Sequence, residues 1–425
     1  MTTPYAPEPA NDQAAASATC PVLHGSPIDS GEARLSLNTA EYAADPMRVY
    51  DEMRTEYGSM VPIELAPDVP ATLVISYHAA IRILNDPDHF PADPRMWQET
   101  IPADSPVRPA MEWRPNARRN TGEAHHRYRQ AYTDAVAEID LHALRSTVEK
   151  IATPLINDFC ESGSADLIAQ YAFPVVFQVL NHLVGCSADI GGRIAAGMAA
   201  LINTVDATEG VQMISGALME LVQLRRREPA ADVTSWMASH PTGLDDTELL
   251  FQLLDFYGGG IEPLQNLIAN TLLLVIADER FGGSVVGGSL STRDALDEVL
   301  FNDPPLANLC ISFPRQPILI DNNWLPAHQP VLISLAACNN DPAIAGGERI
   351  GNRSHLAWGG GPHACPAKSV AYLVAQDAAD QLLDALPEIR LAVPKSDLVW
   401  RPGPFHRSLA SLPVVFPETP QLPVL

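Results

Sequence analysis

A single cysteine, Cys365, stands in the stretch HLAWGGGPHACPAKSV (355–370), behind three glycines and ahead of a proline that opens an apolar stripe. Val370, Leu373, Val374, Ala378, Leu382 and Leu383 recur at helical spacing, and Pro366 suits a first helical turn. That places Cys365 at a helix N-terminus, where the dipole and free N–H groups favour a thiolate poised as a metal ligand or nucleophile. Gly359, Gly360 and Gly361 let the backbone approach something flat, and a thiolate in such a cradle suits the axial ligand of a haem iron. Competing chemistries fit less well. A phosphate loop needs glycine where Pro362 and Ala367 stand, and a cysteine nucleophile with His363 or His355 as base lacks any hydrolase signature around it. Taken without its flanks, a lone cysteine is a small buried residue.

A second chemical feature lies about a hundred residues upstream, in DDTELLFQLLDFYGGGIEPLQNLIANTLLLVIADE. Asp245 or Asp246 is the natural N-cap of a helix of roughly thirty residues, apolar on most faces and therefore central and buried. Gly258 to Gly260 weaken its middle and Pro263 cannot donate to the Gly259 carbonyl, so a kink or local opening is expected there. Glu262 beside that break is a carboxylate in apolar company, which costs free energy unless it has a partner or a purpose.

The rest of the chain must position these two features. With 51 acidic against 27 basic residues the net charge of the 425-residue chain is −24, which argues against nucleic acid and anionic membrane surfaces as partners. Six cysteines without CxxC spacing suggest neither a zinc ribbon nor a disulfide framework, and point to a reducing cytoplasm. Residues 1–28 lack the pattern of a signal peptide and read as a disordered tail, and the apolar run Leu264 to Ala277 is too short to span a bilayer. Asp45 to Arg54 reads as a helix, VPIEL and ATLVISY as strands, and HAAIRILNDP as a further helix. Residues 86–121 carry seven prolines and no period, the mark of a candidate substrate loop. From Glu123 to about Arg227 the apolar spacing is that of stacked helices.

Taken together, WGGGPHACPA (358–367) resembles the haem-thiolate signature of the cytochromes P-450, Phe-Gly-x-Gly-x-His-x-Cys-x-Gly, with Trp358 for Phe and Ala367 for the last Gly. The likeness extends over roughly residues 40–418, through TGEAHHRYRQAYTDAV, GGIEPLQNLIAN, DEVLFNDPP and NWLPAHQPVLISLAACNNDP, in the family's order. It implies a mainly α fold with small β-sheets (α+β), residues 29–425 forming one domain with haem b between the long central helix and the cysteine-loop helix. It implies Cys365 as the iron ligand, Trp358 beside it, and His125, Arg129, Arg315, His355 and His363 as donors to the haem propionates; His125 and Arg129, four apart, share a helix face. It implies a cytoplasmic, monomeric bacterial monooxygenase that oxidises a small apolar molecule with electrons from a ferredoxin and ferredoxin reductase, oxygen being activated near Gly259, Gly260 and Glu262. The chamber would be framed by residues 86–121 and the helices around 190–225, and a basic face for the ferredoxin by Arg114, Arg118, Arg119, Arg127 and Arg129.

Two positions depart from the family. Its Glu-x-x-Arg pair reads Glu298-Val299-Leu300-Phe301, so Glu298 must lie partly solvated or find another cation, for which Arg349 or Arg353 is available. Its proton-relaying threonine is Pro263, which leaves Glu262, water or the substrate to move protons. A noncatalytic haem or small-molecule binding protein, or an enzyme using peroxide or coupling substrates oxidatively, is the alternative reading.

Overall fold

The computed structural model describes residues 34–202, 207–281, 290–344 and 352–424. The tail at 1–28 and Arg349 lie outside them. A five-stranded sheet packs at one end, from β1 (Leu35–Ser36), β2 (Met60–Ala66), β3 (Val69–Val74), β4 (Asn308–Ser312) and β5 (Val331–Ser334), in the order β1-β2-β3-β5-β4. β2 and β3 form the hairpin that VPIEL and ATLVISY imply, with Met60 opposite Val74, while β3 and β5 run parallel with Thr72 opposite Val331. Asp45 caps the helix Pro46–Tyr57 through its side chain, and Tyr77–Leu84 follows the hairpin.

The remainder is helical: α1 (Gly122–Ala137), α2 (Leu141–Asn157), α3 (Phe173–Val184), α4 (Ala188–Ile202), α5 (Ala207–Arg227), α6 (Asp246–Ala277), α7 (Thr292–Asn302) and α8 (Lys368–Ala385). The largest apolar core is built from α1, α2, α3, α6 and α8, with Val148, Val176, Leu253, Ile268 and Val374 fully buried. Residues 86–121 hold only short helical pieces, Arg95–Gln98, Arg108–Met111 and Ala117–Arg119, but Trp97, Val107 and Met111 are buried against the sheet, which fixes this segment instead of leaving it a free lid.

α6 is the axis of the molecule. Asp245 and Glu248 form a reciprocal capping box at its start, and the helix then runs unbroken for 32 residues, through Gly258–Gly260 and Pro263. The expected opening is thus absent as a break in the helix: the packing of Leu253 and Phe256 before the glycines and of Ile261, Leu264 and Leu267 after them outweighs the local cost of the glycines and of the proline. By length and composition α6 could cross a membrane, but 61% of its apolar window is buried inside the fold, as befits a core helix.

The box is reinforced from α1. Arg127 grips Glu248 at 2.6 and 2.8 Å and Tyr128 donates to it at 2.9 Å. Hydrogen bonds from Arg127 hold the Glu248 carboxyl down at about 2. A carboxyl depressed in the folded state stabilises the fold above its ordinary range near 4.5 and loses that contribution as pH falls towards 2. Glu248→Gln is therefore expected to cost about 1–2 kcal/mol at pH 7, after allowing for solvent screening, and to flatten the acid limb between pH 4.5 and 2 in urea unfolding.

Candidate functional site

α6, the cysteine loop and β4 enclose a cavity of about 320 Å³. One wall is Gly258, Gly259, Gly260, Glu262, Pro263 and Leu264 of α6; the facing wall is Trp358, Gly359, Gly360, His363, Cys365 and Val370. A Cβ on Gly258 or Gly259 would meet nothing within 4 Å, so the α6 wall is flat and open on the cavity side. Leu84, Phe90, Leu309 and Ile311 add an apolar side, and Arg118, Arg119 and Arg129 stand on the lining as its cations.

The cysteine loop is tied by backbone. Cys365 N–H donates to the Trp358 carbonyl at 2.8 Å, and Gly359 and Gly361 take φ of +70° and +60°. Arg129 donates to the Ala364 carbonyl, beside the thiol. α8 begins only at Lys368, three residues beyond Cys365, and burial pushes the thiol pKa up, opposed by the Ala367 N–H and by Arg129. Burial thus opposes the thiolate expected at a helix N-terminus, and a bound metal cation would favour it. The glycines also serve a protein neighbour, because a Cβ on Gly361 would lie 1.9 Å from the Leu84 carbonyl oxygen.

Of the five propionate donors expected, the structure gathers three. His363 and Arg129 line the cavity, and the His125 ring lies 4.1 Å from that of His363, with its Nε2 buried and without a hydrogen-bond partner. Burial holds His125 at about 4 and His363 at about 3, so at neutral pH both act as N–H donors and not as cations. His355 and Arg315 are not on the lining. His355 packs edge-on against Phe301 with centroids 5.2 Å apart, and Arg315 is exposed, donating from Nε to the Asp88 carbonyl at 2.9 Å. In their place the structure supplies Arg119, buried on the lining with no carboxylate in ion-pair reach among the described residues, its pKa pushed down to about 9 by burial. The sequence placed Arg119 on an outward basic face, since it belongs to an aperiodic segment whose course only the tertiary fold sets.

These observations fit an iron porphyrin: a thiol facing a flat helix wall across an apolar space, with an unsatisfied imidazole nitrogen and buried guanidinium groups at one margin awaiting anions. Among the described residues no helix between 190 and 225 reaches the lining; Leu180 of α3 does instead. Of the five arginines expected to form a basic docking face, three are paired with acids and two turn inward. Arg118 pairs with Asp255 at 3.4 Å, Arg127 with Glu248 and Arg114 with Glu112, while Arg119 and Arg129 turn inward.

Both departures from the family motif find partners. Glu298 pairs with Arg280 at 2.8 Å near the surface and not with Arg353, while Arg349 lies outside the described residues. Arg353 instead meets the neighbouring acid, Asp297, at 3.0 Å, where the carboxylate is only 4% exposed and also accepts from Tyr372 at 2.9 Å. Buried Asn339 completes the brace, donating to the Leu300 carbonyl of α7 at 3.0 Å and accepting from Leu356 N–H at 2.7 Å. Glu262 is half-exposed towards the cavity and paired, 3.2 Å from Arg401. It is thus not the isolated buried carboxylate that its apolar neighbours in sequence suggest.

The chain belongs to the cytochrome P450 superfamily, and is an enzyme of its haem-thiolate monooxygenase type. It is 26% identical over 388 residues to the cytochrome P450 monooxygenase PikC of Streptomyces venezuelae, covering 88% of this chain and 92% of that protein. It is 27% identical over 309 residues to the mycinamicin IV hydroxylase/epoxidase of Micromonospora griseorubida, covering 69% of this chain and 77% of that one. The crystal structure of myxobacterial CYP267B1 with myristic acid superposes with a TM-score of 0.76 at 26% identity, over 89% of this chain and 98% of the other. CYP154C4 from Streptomyces sp. W2061 shares the fold at a TM-score of 0.80 and 24% identity, over 90% and 98% of the two chains. No family model matches the sequence.

Proposed function

We propose that residues 29–425 act as one cytoplasmic haem b domain that oxidises a small, largely apolar molecule with dioxygen and electrons from a ferredoxin and its reductase. The observation that carries this reading is the opposition of Cys365 to the open Gly258–Gly259 face across one apolar cavity with cationic and imidazole donors at its margin that have no carboxylate partner. Arg119, Arg129, His125 and His363 would hold the propionates, and Cys365 the iron; when bound, the group supplies the redox chemistry of oxygen activation. The chain's own part is to exclude water with Phe90, Leu309 and Ile311, to orient the substrate against α6, and to deliver protons from Glu262 where Pro263 offers no hydroxyl. That missing hydroxyl is the one feature favouring a peroxide-driven or noncatalytic haem protein.

The test is the spectrum of the purified protein reduced under carbon monoxide, with Cys365→Ala as control. A strongly red-shifted Soret band, lost in the variant, is the expected result. A band typical of a neutral proximal ligand moves the balance to the noncatalytic reading, and absence of haem after expression with ample haem rejects the assignment.

A further inference from the structure

Beside Glu262, which lines the cavity where the family's hydroxyl is missing, the structure places an imidazole that no sequence motif announced. Glu262 Oε1 is 3.9 Å from His406 Nδ1 as well as 3.2 Å from Arg401 Nη2, yet it is buried and in hydrogen-bond geometry with neither. The other ring nitrogen, His406 Nε2, is likewise buried without a partner. Unsatisfied buried polar atoms cost about 1–3 kcal/mol each, and two on adjoining side chains call for a reason. The ring is held in place. His406 bridges in antiparallel fashion to Leu306, a cavity-lining residue, and packs on Gly403 so closely that a Cβ there would lie 2.4 Å from its Cε1.

His406 also lines a second, separate cavity of about 10 Å³, the size of one water molecule, with Tyr42, Arg401, Arg407 and Ser408 as polar lining. The imidazole thus stands between a water-sized space on one side and the chamber carboxylate on the other. Histidine is the side chain best suited to pass a proton between two such places at neutral pH.

We propose that His406 relays protons to Glu262, taking over the part of the hydroxyl that Pro263 lacks. A proton enters at Nε2 from the small cavity and the imidazolium releases the one on Nδ1 to Glu262 Oε1; proton exchange with water then restores the Nδ1–H tautomer. Only N–H and O–H bonds change and no electron moves; Glu262 then gives up its proton in the chamber. The 3.9 Å separation must close to hydrogen-bond length for transfer, as catalytic contacts do on ligand binding; Glu262 Oε1 has no other hydrogen bond to break, and the imidazole must give up its hydrogen bonding to the Arg401 and Pro402 backbone. The groups facing the ring are Glu262 from α6, Arg401 and Arg407 from the C-terminal segment, and Tyr42 from the helix Ala40–Ala44. Burial and Arg401 hold the imidazole below its ordinary range while Glu262 opposes them, so the ring is a ready donor once protonated.

The proposal rests on the monooxygenase reading, and its test separates the two. In the full chain with isotopically labelled histidine, the His406 resonance is identified by its loss in His406→Phe and followed through a pH titration. Glu262→Gln is expected to lower the His406 pKa by about one unit, because it removes the charge that favours imidazolium. An unchanged pKa overturns the relay, whatever the haem does. In the haem-loaded chain, with spinach ferredoxin and its reductase as the electron source, oxygen consumption should fall at least about tenfold in His406→Phe and lose its pH inflection, with the carbon monoxide band unchanged. His406→Gln, which keeps hydrogen bonding without a titrating proton, should fall equally; if it matches the wild type, His406 is only structural and the relay is overturned. A wild type without the thiolate band defeats the monooxygenase reading alone, since the titration still decides whether His406 and Glu262 are coupled.

Discussion

Arg353→Ala is expected to destabilise the fold by about 3–5 kcal/mol, Asp297→Asn by less, and Glu298→Ala by under about 1 kcal/mol. The order is the reverse of what exposure alone suggests, since the Arg353 side chain is half-exposed and Asp297 is 4% exposed. The reason is which charge is stranded. With Arg353 removed, Asp297 stays buried with Tyr372 as its one remaining side-chain hydrogen-bond donor, and must carry an uncompensated charge or take up a proton. With Asn at 297 the single amide oxygen accepts from only one of the Tyr372 hydroxyl and the Arg353 Nε, but no charge is stranded, because the hydroxyl also reaches the Arg293 carbonyl at 3.1 Å and the guanidinium reaches water. Glu298 and Arg280 form a surface pair that loses little when broken. Because Arg353 lies just before the cysteine loop and Asp297 on α7, the same variant should also lower haem retention, read as the ratio of Soret to protein absorbance. If urea unfolding instead ranks Glu298→Ala above Arg353→Ala, the family's glutamate still carries the brace and the Asp297 pair is incidental.

That one-residue shift shows where sequence reasoning reaches its limit. The need for a cation was legible, because an acid in the family's position without its arginine must be paired or wet. Which of two adjacent acids faces inward was not, since neighbours on a helix point about 100° apart and only the packed α8, with Tyr372, decides the face. The ends of α6 were legible for the opposite reason: capping chemistry at Asp245 and apolar periodicity to Ala277 are local. His125, Arg129 and His363 were placed through the family resemblance and do converge, whereas Arg119, Arg401 and His406 lie in aperiodic segments and reach the site only through tertiary contacts. Burial of Cys365, which opposes ionisation, was not legible either, since it is set by the packing of the loop against distant elements.

Gly361→Ala should be the most damaging single-methyl change in the cysteine loop, costing more than about 3 kcal/mol and most of the bound haem. Two effects add there. The backbone at φ +60° disfavours any side chain by about 1–2 kcal/mol, and the new Cβ would sit 1.9 Å from the Leu84 carbonyl oxygen, a backbone atom that cannot rotate away. The two contributions separate by comparison. Gly122 has nearly the same φ, +61°, with nothing within 4 Å of its Cβ position, so Gly122→Ala reports the backbone cost alone. Gly360 has an ordinary φ, and its Cβ would meet Leu84 Cδ1 at 3.1 Å, the flexible end of a side chain, so Gly360→Ala should cost under about 1.5 kcal/mol. Unfolding free energies in the order 361, then 122 and 360, with haem lost only from the first, locate the loop's anchor at the end of the helix Tyr77–Leu84. Equal values for Gly361→Ala and Gly122→Ala would mean that the loop moves off Leu84 without penalty, and that Cys365 is positioned by the Trp358 carbonyl and Arg129 alone.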